Sequence, residues 1–199
     1  MGRKLLLAVS LLVLSTSTAW AQGRFAIDLS AAAAFPTEDL GDEPLKTGVG
    51  VGFTANMRVL QHLHIYGGWD YFRFTPKESV IDQDINDTGY ALGAKFQHPV
   101  YRSIDSWLRL GGIYNHIEVE DDAGDLIVDS GHELGWEAGA GLSIPLSDRF
   151  ALLPGARYRT YSATLSEGAT EVPVDMSYVA AELRLSFIFG ATPLAVVHR

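Results

Sequence analysis

Four groups of side chains in this sequence have the types and spacing that could do chemistry. Asp129, Ser130 and His132 fall close together, and a carboxylate, a hydroxyl and an imidazole are the parts of a nucleophilic centre. Such a centre works only when rigid elements hold its members at hydrogen-bond distance. These three lie in a polar, acidic stretch, so no catalysis is expected from them. His62 and His64 could share a metal ion, but two imidazoles alone make a poor site, and a solvated turn is the simpler reading. The run "EVEDDAGDLIVD" is dense enough in carboxylates to attract calcium or magnesium, yet it lacks the ordered ligand spacing of an EF-hand. Divalent cations or an extracellular ligand are the partners such loops could meet; no resident metal or cofactor is expected.

The fourth group is larger and more spread out. Asp28, Asp70, Lys95, Arg109, Glu137, Arg157, Arg159, Glu182 and Arg184 each interrupt a stretch in which apolar residues otherwise alternate with small or polar ones. In "YVAAELRLSFIF", Val179, Ala181, Leu183, Leu185, Phe187 and Phe189 share one parity, and Glu182 and Arg184 sit on the other. Alternation with period two is the mark of a strand. What these charges can do depends on which face of the sheet meets water.

Eight such stretches are predicted, at 25–35, 47–58, 63–74, 88–97, 106–119, 133–144, 149–162 and 176–189. The connections between them alternate in length. "PTEDLGDEPLK", "TPKESVIDQDIND", "EDDAGDLIVDSGH" and "ATLSEGATEVPVD" are long and polar; "VLQH", "HPVYRSID" and "PLSD" are short. Long and short connections therefore lie at opposite ends of an up-and-down meander. The long ones carry 16 of the 24 acids and, among bases, only Lys46 and Lys77. Pro154, inside the seventh stretch, removes one ladder donor, and a bulge is expected there.

A soluble sandwich would show the same alternation with its charged face in water. Two features favour lipid instead. Aromatics of the apolar parity gather at two heights: Phe35, Trp69, Tyr71, Tyr90, Trp136 and Tyr158 toward the long loops, and Phe25, Phe96, Phe150, Phe187 and Phe189 toward the short turns. Two girdles around an aliphatic band suit a bilayer with two interfaces. The charged parity is also crowded with glycine, which suits a narrow lumen where bulk is rationed. The sheet must then close, because lipid offers its backbone no hydrogen bonds. The expected fold is all-β: an eight-stranded antiparallel up-and-down transmembrane β-barrel spanning residues 22–189. Its nine inward charges, four acidic and five basic, should neutralise one another as a plug of salt bridges.

The N-terminus agrees with export. Arg3 and Lys4 precede an apolar run from Leu5 to Leu14, and Ala19-Trp20-Ala21 forms a small-x-small cleavage site, so residues 1–21 read as a signal peptide. Residues 190–199 are left as a short tail. The net charge of −9 argues against binding nucleic acid, and the lack of cysteine excludes thiolate chemistry.

With its signal peptide, the hairpin "GVGVGFTANMRVLQHLHIYGGWDYFRF" and the terminal strand "AAELRLSFIF", the chain resembles the small eight-stranded outer-membrane barrels of the OmpX, opacity-protein and OmpA-transmembrane type. The resemblance implies residence in outer-membrane lipid and insertion by the barrel-assembly machinery, with Phe189 as the terminal aromatic signal. Such barrels usually stop at that aromatic, whereas this chain continues with "GATPLAVVHR". Some small barrels act on lipid A, but the His-x-Ser-Asn type motif of the deacylases has no counterpart in "GHELGWEAGAG". The expected role is therefore non-enzymatic, in envelope structure or surface binding. The alternative is a narrow channel for small or apolar solutes.

Overall fold

The computed structural model describes residues 25–41, 43–77, 83–121, 126–167 and 170–189. The expected signal peptide and C-terminal tail lie outside the described residues. Among the described residues nine strands form: β1 Phe25–Pro36, β2 Gly48–Arg58, β3 Leu63–Phe74, β4 Gln83–Tyr101, β5 Ile104–Asp121, β6 Leu126–Asp129, β7 Glu133–Pro145, β8 Phe150–Glu167 and β9 Thr170–Phe189. All pairings are antiparallel. The first and last ring strands meet in one ladder from Phe25↔Phe189 to Pro36↔Tyr178. β5 pairs with both β4 and β7, which completes a closed ring of eight. Closure leaves no edge strand in lipid, as the bilayer demands.

The ninth strand is β6, a short piece inside the third long connection, paired only with the outer end of β5. The strands β4, β5, β8 and β9 are also longer than their alternation suggests, and what reads as loop is in part hairpin, closed at Glu167↔Thr170. The cause is an inversion of polarity along each strand. Within the membrane, Leu29, Leu92, Leu110, Leu134 and Leu183 face outward and are at least half exposed. Beyond the outer girdle the same strands turn apolar residues inward: Ile85, Ile117, Ala163, Val174 and Met176 are buried, while Ser162, exposed, bonds Asp175 on the outer face. The barrel leaves lipid and continues as an ordinary water-surrounded sheet with an apolar core. Leu40 and Leu45 of the first long connection fold into that core beside Phe72 and Phe74.

No bulge forms at Pro154. The β7–β8 register runs unshifted from Gly135↔Tyr161 to Pro145↔Ala151, and only the two rungs at Pro154 and Leu153 lapse. Leu142 stands opposite Pro154, which has no N–H to offer, and its carbonyl accepts the indole N–H of Trp107 at 3.1 Å instead. The ring reaches it because Gly141 and Gly155 have no side chains. A Cβ on either would lie 2.5 or 2.3 Å from Trp107 Cζ2. A lumen side chain thus repairs the ladder that proline breaks.

Candidate functional site: a charged lumen

All nine charges singled out above are buried inside the barrel, each at most 6% exposed. A tenth joins them. Asp87, which the polarity of its segment assigns to a loop, is fully buried on β4. With it the buried charges of the described residues number five acids (Asp28, Asp70, Asp87, Glu137, Glu182) and five bases (Lys95, Arg109, Arg157, Arg159, Arg184).

They are arranged in three tiers. In the middle tier Arg157 is the hub. Its guanidinium donates to both oxygens of Asp70, at 2.9 and 3.1 Å, and to Glu137 Oε2 at 3.0 Å, while its Nε stands 3.3 Å from Glu182. Arg159 reinforces the same pair, with Nε 3.1 Å from Glu137 and Nη2 3.2 Å from Asp70. Arg109 and the Tyr66 hydroxyl, the latter at 2.7 Å, donate to the other oxygen of Glu137. Arg184 pairs with Glu182 at 2.7 Å. Forked, planar guanidinium groups can satisfy several carboxylates at once, which a lysine at the hub could not do.

The outer tier is a carboxylate capped by neutral donors. Asp87 accepts from Tyr178 at 2.6 Å, Tyr161 at 2.9 Å and Asn115 at 2.6 Å, and Arg159 Nη1 reaches the Tyr178 hydroxyl at 3.3 Å. Aromatic faces line the cations as well, with Arg109 4.5 Å from the Tyr66 ring centroid and Arg184 5.8 Å from that of Trp107. The inner tier is sparser: Lys95 Nζ lies 3.9 Å from Asp28, which also accepts from Asn56 at 2.9 Å. Parity alone places Tyr66, Tyr161, Tyr178, Asn115 and Trp107 inward. Which of them meets which charge depends on register between distant strands, such as the 91 residues separating Asp87 and Tyr178.

The other candidate groups do not converge. Ser130 accepts from the Ile117 amide and donates to the Gly131 carbonyl, while Asp129 accepts from the Gly131 amide. His132 instead meets His116, at 3.1 Å, on the outer surface beside Tyr114. His62 bonds the Gln97 carbonyl and lies against His98, not His64. Among the described residues no group of three metal-ligating side chains forms. Outside the membrane, Arg73 and Asp84 pair on the rim, and the hydrogen bond from Arg73 holds the Asp84 carboxyl below its ordinary range.

A closed eight-stranded ring with an apolar exterior and a charged interior is the architecture of an outer-membrane barrel. The family model described as "Outer membrane protein beta-barrel domain" matches residues 5–189. The chain belongs to that family. Its location is the outer membrane. Among solved structures this barrel is similar to Neisserial surface protein A, with a TM-score of 0.60 at 16% identity, covering 83% of this chain and 97% of that one. It is similar also to OprG of Pseudomonas aeruginosa, with a TM-score of 0.57 at 14% identity over 84% and 97% of the two chains. A third is AlkL, solved in DMPC lipid bilayers, with a TM-score of 0.57 at 14% identity over 92% and 96%. These likenesses show the fold. No curated protein matches the chain in sequence.

Proposed function

We propose that the protein is a non-enzymatic barrel with a closed lumen, which acts in the structure of the envelope or in binding through its acidic outer loops. The observation that supports this most strongly is closure at two levels. The middle tier fills the lumen cross-section with paired ions, and above it Leu40, Leu45, Phe72 and Phe74 form an apolar stopper. An ion crossing the barrel would have to break buried pairs at several kcal/mol each, which amounts to a barrier rather than a path. Phe189 packs on Phe25 and Phe187 at the periplasmic end, with centroids 5.3 and 4.7 Å away, an arrangement suited to presenting the terminal aromatic to the assembly machinery.

Purified protein reconstituted in planar bilayers tests the reading. No channel openings are expected in molar potassium chloride. Sustained unitary conductance would overturn the closed lumen and favour the narrow channel.

A further inference from the structure

Below the middle tier the lumen is not filled. A cavity of about 340 Å³ opens at the end of the short turns, that is, toward the periplasm, and Lys95, Asn56, His64, Ser143 and Ser186 are among the residues lining it. Its inner end holds an unusual lysine. Lys95 is 6% exposed, yet among the described residues its ammonium has no hydrogen-bond acceptor. Its one carboxylate neighbour, Asp28 Oδ2, is 3.9 Å away and already accepts from Asn56. The ammonium thus borders the open cavity with an ion pair to Asp28 as its one charged partner among the described residues and no protein hydrogen bond there, which leaves its donors available to whatever enters.

Cationic donors outnumber acceptors around it, although Asp28 Oδ1 is also buried without a partner among the described residues. The Ser143 and Ser186 side chains line the same cavity without side-chain hydrogen bonds among the described residues. Behind Lys95, its rung partner Arg109 keeps Nε and Nη1 without acceptors among the described residues, and Arg184 keeps its Nε so. Arg58 stands at the mouth, where the one lining carboxylate, Asp105, is engaged by Gln97 at 2.8 Å. The set is matched by oxygen acceptors carrying negative charge.

We propose that this cavity is a binding site for a small oxyanion, a phosphate or a short carboxylate, that enters from the periplasm and accepts hydrogen bonds from Lys95, Ser143 and Ser186. The cavity ends blindly at the ion cluster, so the anion is held there and not passed across.

The test uses the isotope-labelled, folded barrel in a maltoside detergent, which has no phosphate of its own. Inorganic phosphate and acetate are titrated separately, each against sodium chloride at equal ionic strength, while the amides of Ser143 and Ser186 are followed by NMR. Saturable shifts are expected with phosphate, acetate or both, and which of them saturates identifies the anion class. Lys95→Met, shown to be folded by its heat-dependent gel mobility, should lose them. Asp28→Asn removes the competing carboxylate and should tighten binding about tenfold. Drift without saturation, shifts equal to those of chloride, survival of binding in folded Lys95→Met, or weaker binding in Asp28→Asn would each overturn the proposal. If Lys95→Met does not fold, the wild-type titration and the Asp28→Asn variant decide it.

Discussion

Arg157→Met tests whether the lumen cluster holds the barrel together. The replacement keeps most of the bulk and removes three hydrogen bonds and a close approach to Glu182. Five buried acids would then face four bases. Each deserted carboxylate keeps at least one cation: Asp70 retains Arg159, Glu137 retains Arg159 and Arg109, and Glu182 retains Arg184. The cost therefore belongs to the loss of one member of a buried ion network, about 3–5 kcal/mol. The matched control is Asp84→Asn at the rim. There the carboxyl is held below its ordinary range, so its contribution is present at neutral pH and fades as the pH falls toward that depressed value. Because the pair is exposed, its loss should cost no more than about 1 kcal/mol. Urea unfolding in phospholipid vesicles, followed by tryptophan fluorescence, measures both. Arg157→Met combined with Asp70→Asn restores the balance of charge and should recover part of the loss. If Arg157→Met falls within about 1 kcal/mol of wild type, as the rim control should, water screens the cluster and the plug contributes no stability.

Three further outcomes follow from the face assignment and from the seating of Trp107. Leu183→Arg places a charge in lipid at a half-exposed, mid-strand position and should cost about 2–4 kcal/mol, seen as incomplete conversion to the heat-modifiable form in vesicles; normal assembly would mean the outward face is not in lipid. Gly155→Ala sets a Cβ 2.3 Å from Trp107 and 2.7 Å from the Ala140 carbonyl, so it should destabilise the barrel by about 1–3 kcal/mol and shift the tryptophan emission. Trp107→Phe keeps an aromatic ring but strands the Leu142 carbonyl opposite Pro154, with an expected loss of about 1–3 kcal/mol in the same unfolding assay.

Much of the membrane segment was legible because one physical demand governs it. Lipid outside and a narrow, polar lumen inside sort residues by parity, and so Glu182 and Arg184 could be assigned to the interior from twelve letters of sequence. Asp87 was misassigned for the converse reason: it stands where the outer medium changes from lipid to water, among polar neighbours that look like loop. The outer hairpin of β8 and β9 was hidden in the same way. Its alternation persists, but small residues such as Ala163 and Ser162 give weak contrast, and the buried parity is now the apolar one. At Pro154 the missing donor was visible in the sequence. The remedy, an indole from β5, was not.

By itself the sequence determined the sheet, its alternating faces, the length asymmetry of its connections and the placement of nine charges on one side of it. These are properties of period and polarity, which adjacent residues carry locally. Only the closed structure decided which charge meets which. It made Arg157 the hub, brought Asp87 in as the fifth acid, and set Lys95 beside a cavity with Asp28 as its ion-pair partner. Such pairings join side chains from strands far apart in the chain, and they depend on the stagger with which the ring closes. Stagger is a property of the whole circuit of eight strands, and no single stretch of residues records it.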